Sequence, residues 1–263
     1  MSKQNLLLFG VGWLGEALVR SLAPKDFSIT IATTNKERWD QFDRDVSIIE
    51  VSLASKELSF INTNININTF DQVVVMLPPS GFDDYSEVVY GICSKLQSAK
   101  QLIFTSSTGV YKNVDAVLDE NALIDESHPV FKAEEVIRNC FQGRYSILRL
   151  AGLLGGARHP VKYLLNKESI SDGSAPVNLI HREDVIRAIK VLLFSNSSNS
   201  TYNICYPDHP TKKDYYGDFA HRLYGKSLNF NEGAKGKVVD GSKFVKKYLY
   251  KYLNPIREVL INK

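Results

Sequence analysis

The chain has 263 residues, with 32 lysines and arginines against 29 aspartates and glutamates, so its formal net charge is only +3 at pH 7. This balance, without a basic block, speaks against a nucleic-acid-binding protein. The cysteines Cys93, Cys140 and Cys205 lie far apart without a C-x-x-C pair, which favours reduced cytoplasmic thiols over disulfides or a metal site. No apolar run approaches the roughly 20 residues that span a bilayer. We therefore expect a small-molecule partner, with no nucleic acid, membrane or metal.

The most informative motif lies near the start of the chain, where an apolar run ends in glycines. Residues 6–15 are LLLFGVGWLG, and Gly10, Gly12 and Gly15 have the spacing G-x-G-x-x-G. In a dinucleotide site the first glycine permits a tight turn, the second lets the backbone approach a pyrophosphate, and the third lets the helix pack close to the strand. Residues 16–22 have a helical composition, and the N-terminus of such a helix attracts phosphates. The motif predicts a dinucleotide site, and a glycine-rich turn of another kind of α/β protein is the alternative.

Strand-like and helical segments alternate along the rest of the chain. Strands are predicted at residues 6–9, 28–32, 47–51, 73–77, 101–104 and 145–150, and helices at 16–22, 85–96 and 131–141, whereas residues 60–69 are ambiguous. Such alternation is typical of a parallel sheet with helices on both faces. We therefore predict an α/β protein with a Rossmann-type doubly wound parallel sheet. Residues 1–155 are expected to form the dinucleotide-binding domain, and residues 156–263 a smaller substrate lobe, parts of which return to the sheet.

The segment after the second strand predicts which nicotinamide dinucleotide is preferred. An acidic residue at this point would hydrogen-bond the ribose 2′-hydroxyl of NAD, whereas the 2′-phosphate of NADP requires hydroxyls and cations. The sequence has no acid in the expected place and offers Thr33, Thr34, Lys36 and Arg38. An ordinary solvated helix start would explain any one of these residues equally well. Together they predict NADP as the cofactor, with NAD as the second choice.

Ligands of an open parallel sheet bind at the carboxyl ends of its strands. Hydroxyl groups follow one predicted strand in residues 105–111, TSSTGVY, and the segment SHPVFK comes later at residues 127–132. Together with the glycine turn, these segments resemble the extended short-chain dehydrogenase/reductase superfamily, which contains NAD(P)-dependent nucleotide-sugar epimerases and dehydratases. Residues 148–160, 177–185 and 202–205 extend the resemblance to nearly the whole chain. Within the superfamily, the chain is similar to a small, atypical, YeeZ-like branch.

This resemblance implies catalysis by a Y-x-x-x-K pair, in which the tyrosine transfers a proton and the lysine lowers the tyrosine pKa and holds the ribose. The chain departs from the pattern, because Phe131-Lys132 occupies the matching region and no tyrosine is present there. Ser107 matches the hydroxyl that orients the substrate, and Lys132 is a candidate for the lysine, although a surface lysine would look the same. Tyr111 resembles a position that supports the substrate pocket. We take Ser107, Lys132 and Tyr111 as the candidate catalytic residues.

Further cofactor and substrate contacts are expected along the same edge of the sheet and in the substrate lobe. Besides the glycines and the segment after the second strand, the cofactor is expected to contact Trp13, Leu14, Leu77, Pro78, Pro79, Thr105 and Ser106. Arg158 and His159 suit an anionic substrate, because guanidinium groups pair well with phosphates and carboxylates. His181 is a third candidate. A loop cation is the alternative for Arg158, and a structural hydrogen bond is the alternative for His181.

Three classes of function fit these features. The first is an NADP-dependent oxidoreductase or epimerase, acting on a small anionic or nucleotide-sugar substrate with Ser107 and an unusual acid or base. The second is a non-catalytic NADP-binding redox sensor or regulatory protein, which the missing tyrosine favours. The third is a scaffold with a vestigial glycine turn, which the intact glycine spacing disfavours. In each case we expect a cytoplasmic monomer or homodimer.

Overall fold

The computed structural model describes residues 3–39, 45–54, 57–61, 65–156, 158–196, 199–233 and 235–258. The strands are β1 (Gln4–Phe9), β2 (Phe27–Thr33), β3 (Ser47–Ala54), β4 (Glu57–Ile61), β5 (Gln72–Val75), β6 (Gln101–Ser107), β7 (Val117–Leu118), β8 (Arg144–Leu150), β9 (Gly152–Leu154), β10 (Leu179–His181), β11 (Ser200–Ile204) and β12 (Val238–Val239). The helices are α1 (Trp13–Ser21), α2 (Tyr85–Lys95), α3 (Pro129–Cys140), α4 (Arg182–Leu193), α5 (Lys212–Tyr224) and α6 (Ser242–Tyr248). No helix in the described ranges combines the length and the apolar character needed to cross a bilayer.

The chain forms two compact units, and each unit is made of three separate segments of the sequence. The first comprises residues 1–110, 125–148 and 188–201, and the second comprises residues 111–124, 149–187 and 202–263. Strands β8 and β11 and helix α4 each begin in one unit and end in the other. The predicted division into folding domains at residue 155 stays a prediction.

The first unit is built on an eight-stranded sheet in the order β11-β8-β6-β5-β1-β2-β3-β4. Strand β1 pairs in parallel with β2 on one side and with β5 on the other. The pairs β2–β3 and β5–β6 are also parallel, whereas the edge strand β4 is antiparallel to β3. The strand order therefore reverses at β1, which is where open α/β sheets form a ligand crevice. The predicted Rossmann-type fold is confirmed.

The central strands have apolar residues on both faces, which explains why they appear in the sequence as unbroken apolar runs. Residues Leu6–Phe9 and Val73–Val75 are fully buried or nearly so. Such runs are typical of parallel strands that are covered on both sides. The ambiguous stretch 60–69 contains the end of β4 and a 3-10 turn at Ile67–Thr69, while its residues 62–64 lie outside the described residues.

The second unit contains two small parallel strand pairs, β9–β10 and β7–β12, and the helices α5 and α6. Its apolar core joins residues from β9, β10 and α5 and is lined by Leu154, Val161, Val177, Leu179, Tyr215, Phe219, Ala220 and Ile256. Helix α5 begins at the N-cap Thr211, whose hydroxyl accepts a hydrogen bond from the Asp214 N–H, and it ends at Gly225 in the left-handed conformation. This unit carries the later part of the predicted substrate lobe.

Candidate functional site

The glycine turn between β1 and α1 shows why two of its glycines are required by packing. Gly10 has φ +73°, and a Cβ atom at this position would lie 2.5 Å from the carbonyl carbon of Met76. A Cβ on Gly15 would lie 3.1 Å from Met76 Cε and 3.2 Å from Gly10 O. Gly10 therefore permits a left-handed turn against the end of β5, and Gly15 lets α1 pack closely on that turn.

Gly12 differs from the other two glycines because it faces open space. A Cβ atom at Gly12 would meet no other heavy atom within 4 Å among the described residues. Its N–H donates to Gly10 O at 2.7 Å, and Gly12 precedes α1 without a side chain that caps the helix. Trp13 and Leu14, both half-buried, form the first turn of α1. The turn thus leaves room for an anionic group at a helix N-terminus, where N–H groups and the helix dipole attract phosphate.

The predicted selector of the dinucleotide lies after β2. The Thr33 hydroxyl donates to Asn35 O at 3.1 Å and accepts a hydrogen bond from the Asn35 N–H at the same distance, so it holds the local turn. Thr34 and Lys36 are exposed beyond it. The side chain of Arg38 lies outside the described part of the structure. This geometry leaves Thr34 and Lys36 accessible to a ligand at the carboxyl end of β2.

The carboxyl ends of β5 and β6 lie on the side of β1 that is opposite to β2. Leu77 is half-buried and its carbonyl oxygen accepts a hydrogen bond from the Tyr85 hydroxyl at 2.8 Å, while Pro78 and Pro79 are exposed. The Thr105 hydroxyl donates to Val75 O at 3.4 Å, which ties β6 to β5. These predicted cofactor contacts therefore line one edge of the same sheet.

Ser106 belongs to a buried polar cluster beneath that edge. Its hydroxyl donates to Glu134 on α3 at 2.5 Å, and Glu134 is completely buried. Arg138 donates to both Glu134 and Glu135, at 2.9 and 2.7 Å, and to the Thr201 hydroxyl at 2.9 Å. The buried carboxylate of Glu134 is thus paired with a cation and accepts a hydrogen bond from a hydroxyl, as a buried charge requires. Ser106 thus holds α3 on the sheet, and its predicted contact with the cofactor has no support from this geometry.

Ser107 and His128 are neighbours beside Gly109, which is exposed. The Ser107 hydroxyl accepts a hydrogen bond from the Gly109 N–H at 3.0 Å. His128 caps α3, because its Nδ1 accepts a hydrogen bond from the Val130 N–H at 3.2 Å, and Pro129 occupies the first helical position. A Cβ on Gly109 would lie 3.1 Å from Ser107 Oγ and 3.5 Å from His128 Nε2. We refer to the exposed surface at Gly109 between these two side chains as the Ser107–His128 gap.

Sequence analysis did not select His128. The signal was present, since His128 stands four residues before Lys132, which is the spacing of the Y-x-x-x-K pair. Lys132 is exposed, and its N–H donates to His128 O at 3.1 Å, so the two residues are one helical turn apart. Hydrogen bonds from Ser86 and the Glu87 N–H lower the pKa of Asp84, and the charge of Lys132 contributes to this shift. Lys132 therefore lies within electrostatic reach of the acidic N-cap of α2.

The Tyr111 hydroxyl forms hydrogen bonds with two other residues of the second unit. The hydroxyl donates to Asn203 Oδ1 at 2.7 Å and accepts from Arg149 at 2.9 Å, and the guanidinium lies 4.9 Å from the centre of the tyrosine ring. Tyr111 and Arg149 are both buried, and burial raises the pKa of the tyrosine. The arrangement supports a structural role for Tyr111, whereas its predicted part in catalysis has no free hydroxyl to support it.

His159 is likewise used within the protein. Its side chain is 1% exposed, and its ring centre lies 5.6 Å from that of Tyr215 and 4.3 Å from that of Phe219. Its Nδ1 accepts from the Val161 N–H at 3.2 Å, and its Nε2 lies 3.2 Å from the Tyr215 hydroxyl. That hydroxyl donates to Ile256 O, so the imidazole Nε2–H is the donor toward Tyr215. The predicted contact of His159 with substrate has no support here.

The two remaining predicted substrate contacts lie in the same unit. Arg158 is exposed, and its backbone forms a reciprocal pair of hydrogen bonds with Gly155, both 3.1 Å long. His181 caps α4 through its Nδ1, which accepts from the Glu183 N–H at 3.2 Å. Burial lowers the pKa of His181. Arg158 remains accessible to a ligand, and His181 has a structural hydrogen bond, as its alternative interpretation expects.

The second unit also contains a cationic cavity that sequence analysis did not predict. It has a volume of about 150 Å³ and is lined by Lys212, Lys235 and Lys237 with a single acid, Asp172. Lys237 is half-buried, its ammonium group donates to Tyr111 O at 2.9 Å, and burial lowers its pKa. Lys235 and Lys237 come from one segment, and Lys212 comes from the start of α5, more than 20 positions earlier. We call this space the lysine cavity.

Comparison with known proteins agrees with the fold described above. The chain is 30% identical to protein YeeZ of Escherichia coli strain K12 over 269 residues, covering 96% of this chain and 97% of YeeZ. The structure matches UDP-glucuronic acid 4-epimerase from Bacillus cereus in complex with NAD, with a TM-score of 0.74 and 17% identity over 97% of this chain and 95% of that one. It also matches vestitone reductase from alfalfa, Medicago sativa, with a TM-score of 0.73 and 16% identity over 98% and 96%.

No family model matches the chain. The identity to YeeZ extends over nearly the full length of both proteins, and the solved structures share the same parallel sheet of Rossmann type. The chain therefore belongs to the family of YeeZ and has the epimerase/dehydratase-like fold of the extended short-chain dehydrogenases/reductases.

Proposed function

We propose that the protein is an NADP-dependent oxidoreductase or epimerase that acts on a small anionic substrate. The observation that carries this proposal is the open space at Gly12, between the packed glycines Gly10 and Gly15. This space is where a pyrophosphate would lie against the N-terminus of α1. A bound nicotinamide would supply or accept the hydride, and the glycine turn would fix its position relative to the ends of β5 and β6.

The segment after β2 supports NADP over NAD. Thr34 and Lys36 are exposed at the carboxyl end of this strand, and no acidic residue competes for the ribose hydroxyl in residues 33–36. A single charge-assisted hydrogen bond from Lys36 to the 2′-phosphate is worth roughly 1–3 kcal/mol. We therefore expect NADP to bind more tightly than NAD by at least several-fold. Lys36→Ala removes the cation, so the difference between the affinities for NADP and NAD should be smaller in this variant than in the original chain.

The lysine cavity supports an anionic substrate. Three lysines and one aspartate leave it with a net positive charge, and the half-buried Lys237 loses part of its hydration there. Ammonium groups of this kind bind phosphate or carboxylate oxygens strongly, because low hydration strengthens each electrostatic contact. The Bacillus cereus protein with the similar fold acts on UDP-glucuronic acid, which carries both kinds of anion. UDP-glucuronic acid is therefore the first substrate to test.

A non-catalytic, NADP-binding redox sensor is the second candidate. Two observations favour it: the helix that begins at Pro129 has no tyrosine in the matching region, and the hydroxyl of Tyr111 is already paired with Arg149 and Asn203. In a sensor, the glycine turn would bind the dinucleotide without any need for a proton-transfer group. The sensor and the enzyme differ only in turnover, so the same binding experiment serves both.

Calorimetric titration with NADP⁺ and NAD⁺ tests the proposal. Gly12→Val should reduce the affinity for both by at least about 100-fold, because the branched side chain enters the space for the pyrophosphate, while thermal unfolding stays close to that of the original chain. Gly217→Ala is the control, since it adds a methyl group to α5 at ordinary contact distance, 3.9 Å from Phe230. Equal affinity of the Gly12→Val variant would contradict the dinucleotide site.

Turnover distinguishes the two candidates once binding is established. NADP-dependent absorbance change with UDP-glucuronic acid and with a panel of other nucleotide sugars, aldehydes and ketones would support the enzyme. Tight binding without turnover across the whole panel would favour the sensor. Failure to bind either dinucleotide would reject both.

A further inference from the structure

The hydrogen bonds around Ser107 determine what its hydroxyl can offer. Its oxygen accepts the Gly109 N–H, and within the described residues no acceptor takes its own hydrogen. A hydroxyl has one hydrogen to donate and two lone pairs, so that hydrogen stays available to a ligand. Ser107 is half-buried at the end of β6. It therefore presents a donor at the edge of the sheet next to β5 and β1, where the crevice is expected.

The hydrogen bonds around His128 determine its tautomer. Because Nδ1 accepts the Val130 N–H, it must carry a lone pair, and a neutral imidazole then carries its proton on Nε2. In this tautomer Nε2–H is the hydrogen-bond donor of the ring. Nε2 is the atom that borders the Ser107–His128 gap.

Gly109 lies between Ser107 and His128 and is exposed. The Cβ position of residue 109 lies 3.1 Å from Ser107 Oγ and 3.5 Å from His128 Nε2, so these two atoms are neighbours on the same side of the Gly109 backbone. Because Gly109 is exposed, a ligand can approach both side chains from solvent. Two neighbouring donors fit an oxygen atom with lone pairs, such as a carbonyl oxygen or an alkoxide.

We propose that Ser107 and His128 form a two-donor site for the reacting oxygen of the substrate, with His128 donating through its Nε2–H. This inference rests on the proposed function, because it assumes that the nicotinamide lies at the ends of β5 and β6. Donors aimed at an oxygen on which negative charge develops contribute about 10²–10³-fold each to rate in enzymes. The pair stabilises such charge without a tyrosine. Lys132 lies one helical turn beyond His128, at the spacing that the sequence shares with Y-x-x-x-K.

NMR of the full chain labelled with ¹⁵N-histidine tests this inference without any substrate. His128→Asn assigns the His128 signals, and it keeps the helix cap because the asparagine side chain also accepts the Val130 N–H. In the original chain we expect protonated Nε2 and unprotonated Nδ1. Saturation with NADP⁺ should shift the Nε2 signal of His128. In the NADPH complex we expect a chemical shift of His128 Nε2 that differs from that in the NADP⁺ complex, because the reduced nicotinamide ring has lost its positive charge.

His159 is the internal reference, since its Nε2–H is occupied by the Tyr215 hydroxyl and its ring is buried. Its signals should move less than those of His128 in both complexes. The inference is overturned if either dinucleotide binds, by calorimetry, while His128 shows the same signals in the NADP⁺ and NADPH complexes. A proton on Nδ1 of His128 in the cofactor complex would overturn it as well. If neither dinucleotide binds, the proposed function itself fails and this inference falls with it.

A crystal structure with NADP⁺ provides a second, independent readout. We expect nicotinamide C4 to face the Ser107–His128 gap, with an ordered water at hydrogen-bond distance from both Ser107 Oγ and His128 Nε2. A nicotinamide ring turned away from the gap, or a gap closed by another side chain, would contradict the inference while leaving the dinucleotide site intact.

Discussion

His128 and His159 share the same local design and have different surroundings. Each is followed by a proline, and each accepts the N–H of the residue two positions later on its Nδ1, at 3.2 Å. Each therefore precedes a helical segment, and in each ring Nδ1 carries the lone pair, so Nε2 is the nitrogen that bears the hydrogen. The Nε2–H of His159 is directed at the Tyr215 hydroxyl inside an aromatic core, whereas Nε2 of His128 lies near Ser107, beside the exposed Gly109.

The difference shows that a His-Pro pair specifies a cap but does not specify a function. The cap depends on two neighbouring residues, so it is set locally. What the second ring nitrogen meets depends on residues far away in the chain: Tyr215 lies 56 positions after His159. A buried partner makes His159 part of the core, and an open side makes His128 available to a ligand.

The largest effect on stability is expected at His159. His159→Ala removes a buried ring that packs on Tyr215 and Phe219, and it leaves the Val161 N–H and the Tyr215 hydroxyl each without this partner. By analogy with other large-to-small core substitutions, we expect a loss of about 2–4 kcal/mol in the free energy of unfolding. Urea unfolding measures it. If His159→Ala lowers the free energy of unfolding by less than His128→Ala does, the contrast between the two histidines is contradicted.

The same burial predicts a pH dependence. Burial lowers the pKa of His159 from 6.5 to about 4, so between these pH values the unfolded chain binds a proton that the folded chain does not. Stability therefore falls as pH decreases through this window, by up to about 1.4 kcal/mol per pH unit, and His159 adds no further loss below pH 4. His159→Asn keeps the cap and cannot titrate.

The measurement is the difference in unfolding free energy between the original chain and His159→Asn, followed by urea titration from pH 7 to pH 4. Other groups titrate in both proteins and cancel in the difference. The stability advantage of the original chain should shrink as the pH is lowered. An advantage that is independent of pH would show that His159 keeps an ordinary proton affinity in the folded state.

A smaller effect is expected at His128. His128→Ala removes the cap of α3, which is worth about 0.5–2 kcal/mol, but it deletes little packing because the ring is only half-buried. His128→Asn should restore most of this loss, because asparagine is a good N-cap. Urea unfolding of the three proteins checks the order. If Asn destabilises as much as Ala does, the ring is held by packing rather than by the cap.

The sequence predicted much of the fold because its signals are local. Apolar runs such as Val73–Val75 and the helix pattern of residues 85–96 matched β5 and α2, and the glycine spacing matched a strand-to-helix turn. The distinct tasks of Gly10 and Gly12 follow from the same spacing. The structure adds that Gly10 is packed against Met76, a contact across two strands that no spacing rule contains.

The site at the end of β6 was harder to predict because its parts are distant in sequence. Ser107 follows from a recognised motif, but its neighbour His128 comes from the start of α3, 21 positions later. The Y-x-x-x-K pattern requires a tyrosine, so it does not identify His128, although His128 lies four residues before Lys132. The lysine cavity was missed for the same reason, since Lys212 and Lys237 meet only through the fold of the second unit. Sequence reasoning also assigned Ser106 to the cofactor, because it could not show the buried Glu134 that binds this hydroxyl.

The smallest effect on stability is expected from Gly109→Ala, which tests whether the gap beside His128 is open. Gly109 is exposed and is not among the glycines with positive φ, so alanine causes no backbone strain. Alanine raises the free energy of unfolding by about 0.4–1 kcal/mol because it lowers the entropy of the unfolded chain. The tight approach of its methyl group to Ser107 lowers the free energy of unfolding. We therefore expect a net change within about 1 kcal/mol by urea unfolding. A loss above about 2 kcal/mol, typical of an overpacked core, would show that residue 109 is enclosed, and His128 would then resemble His159.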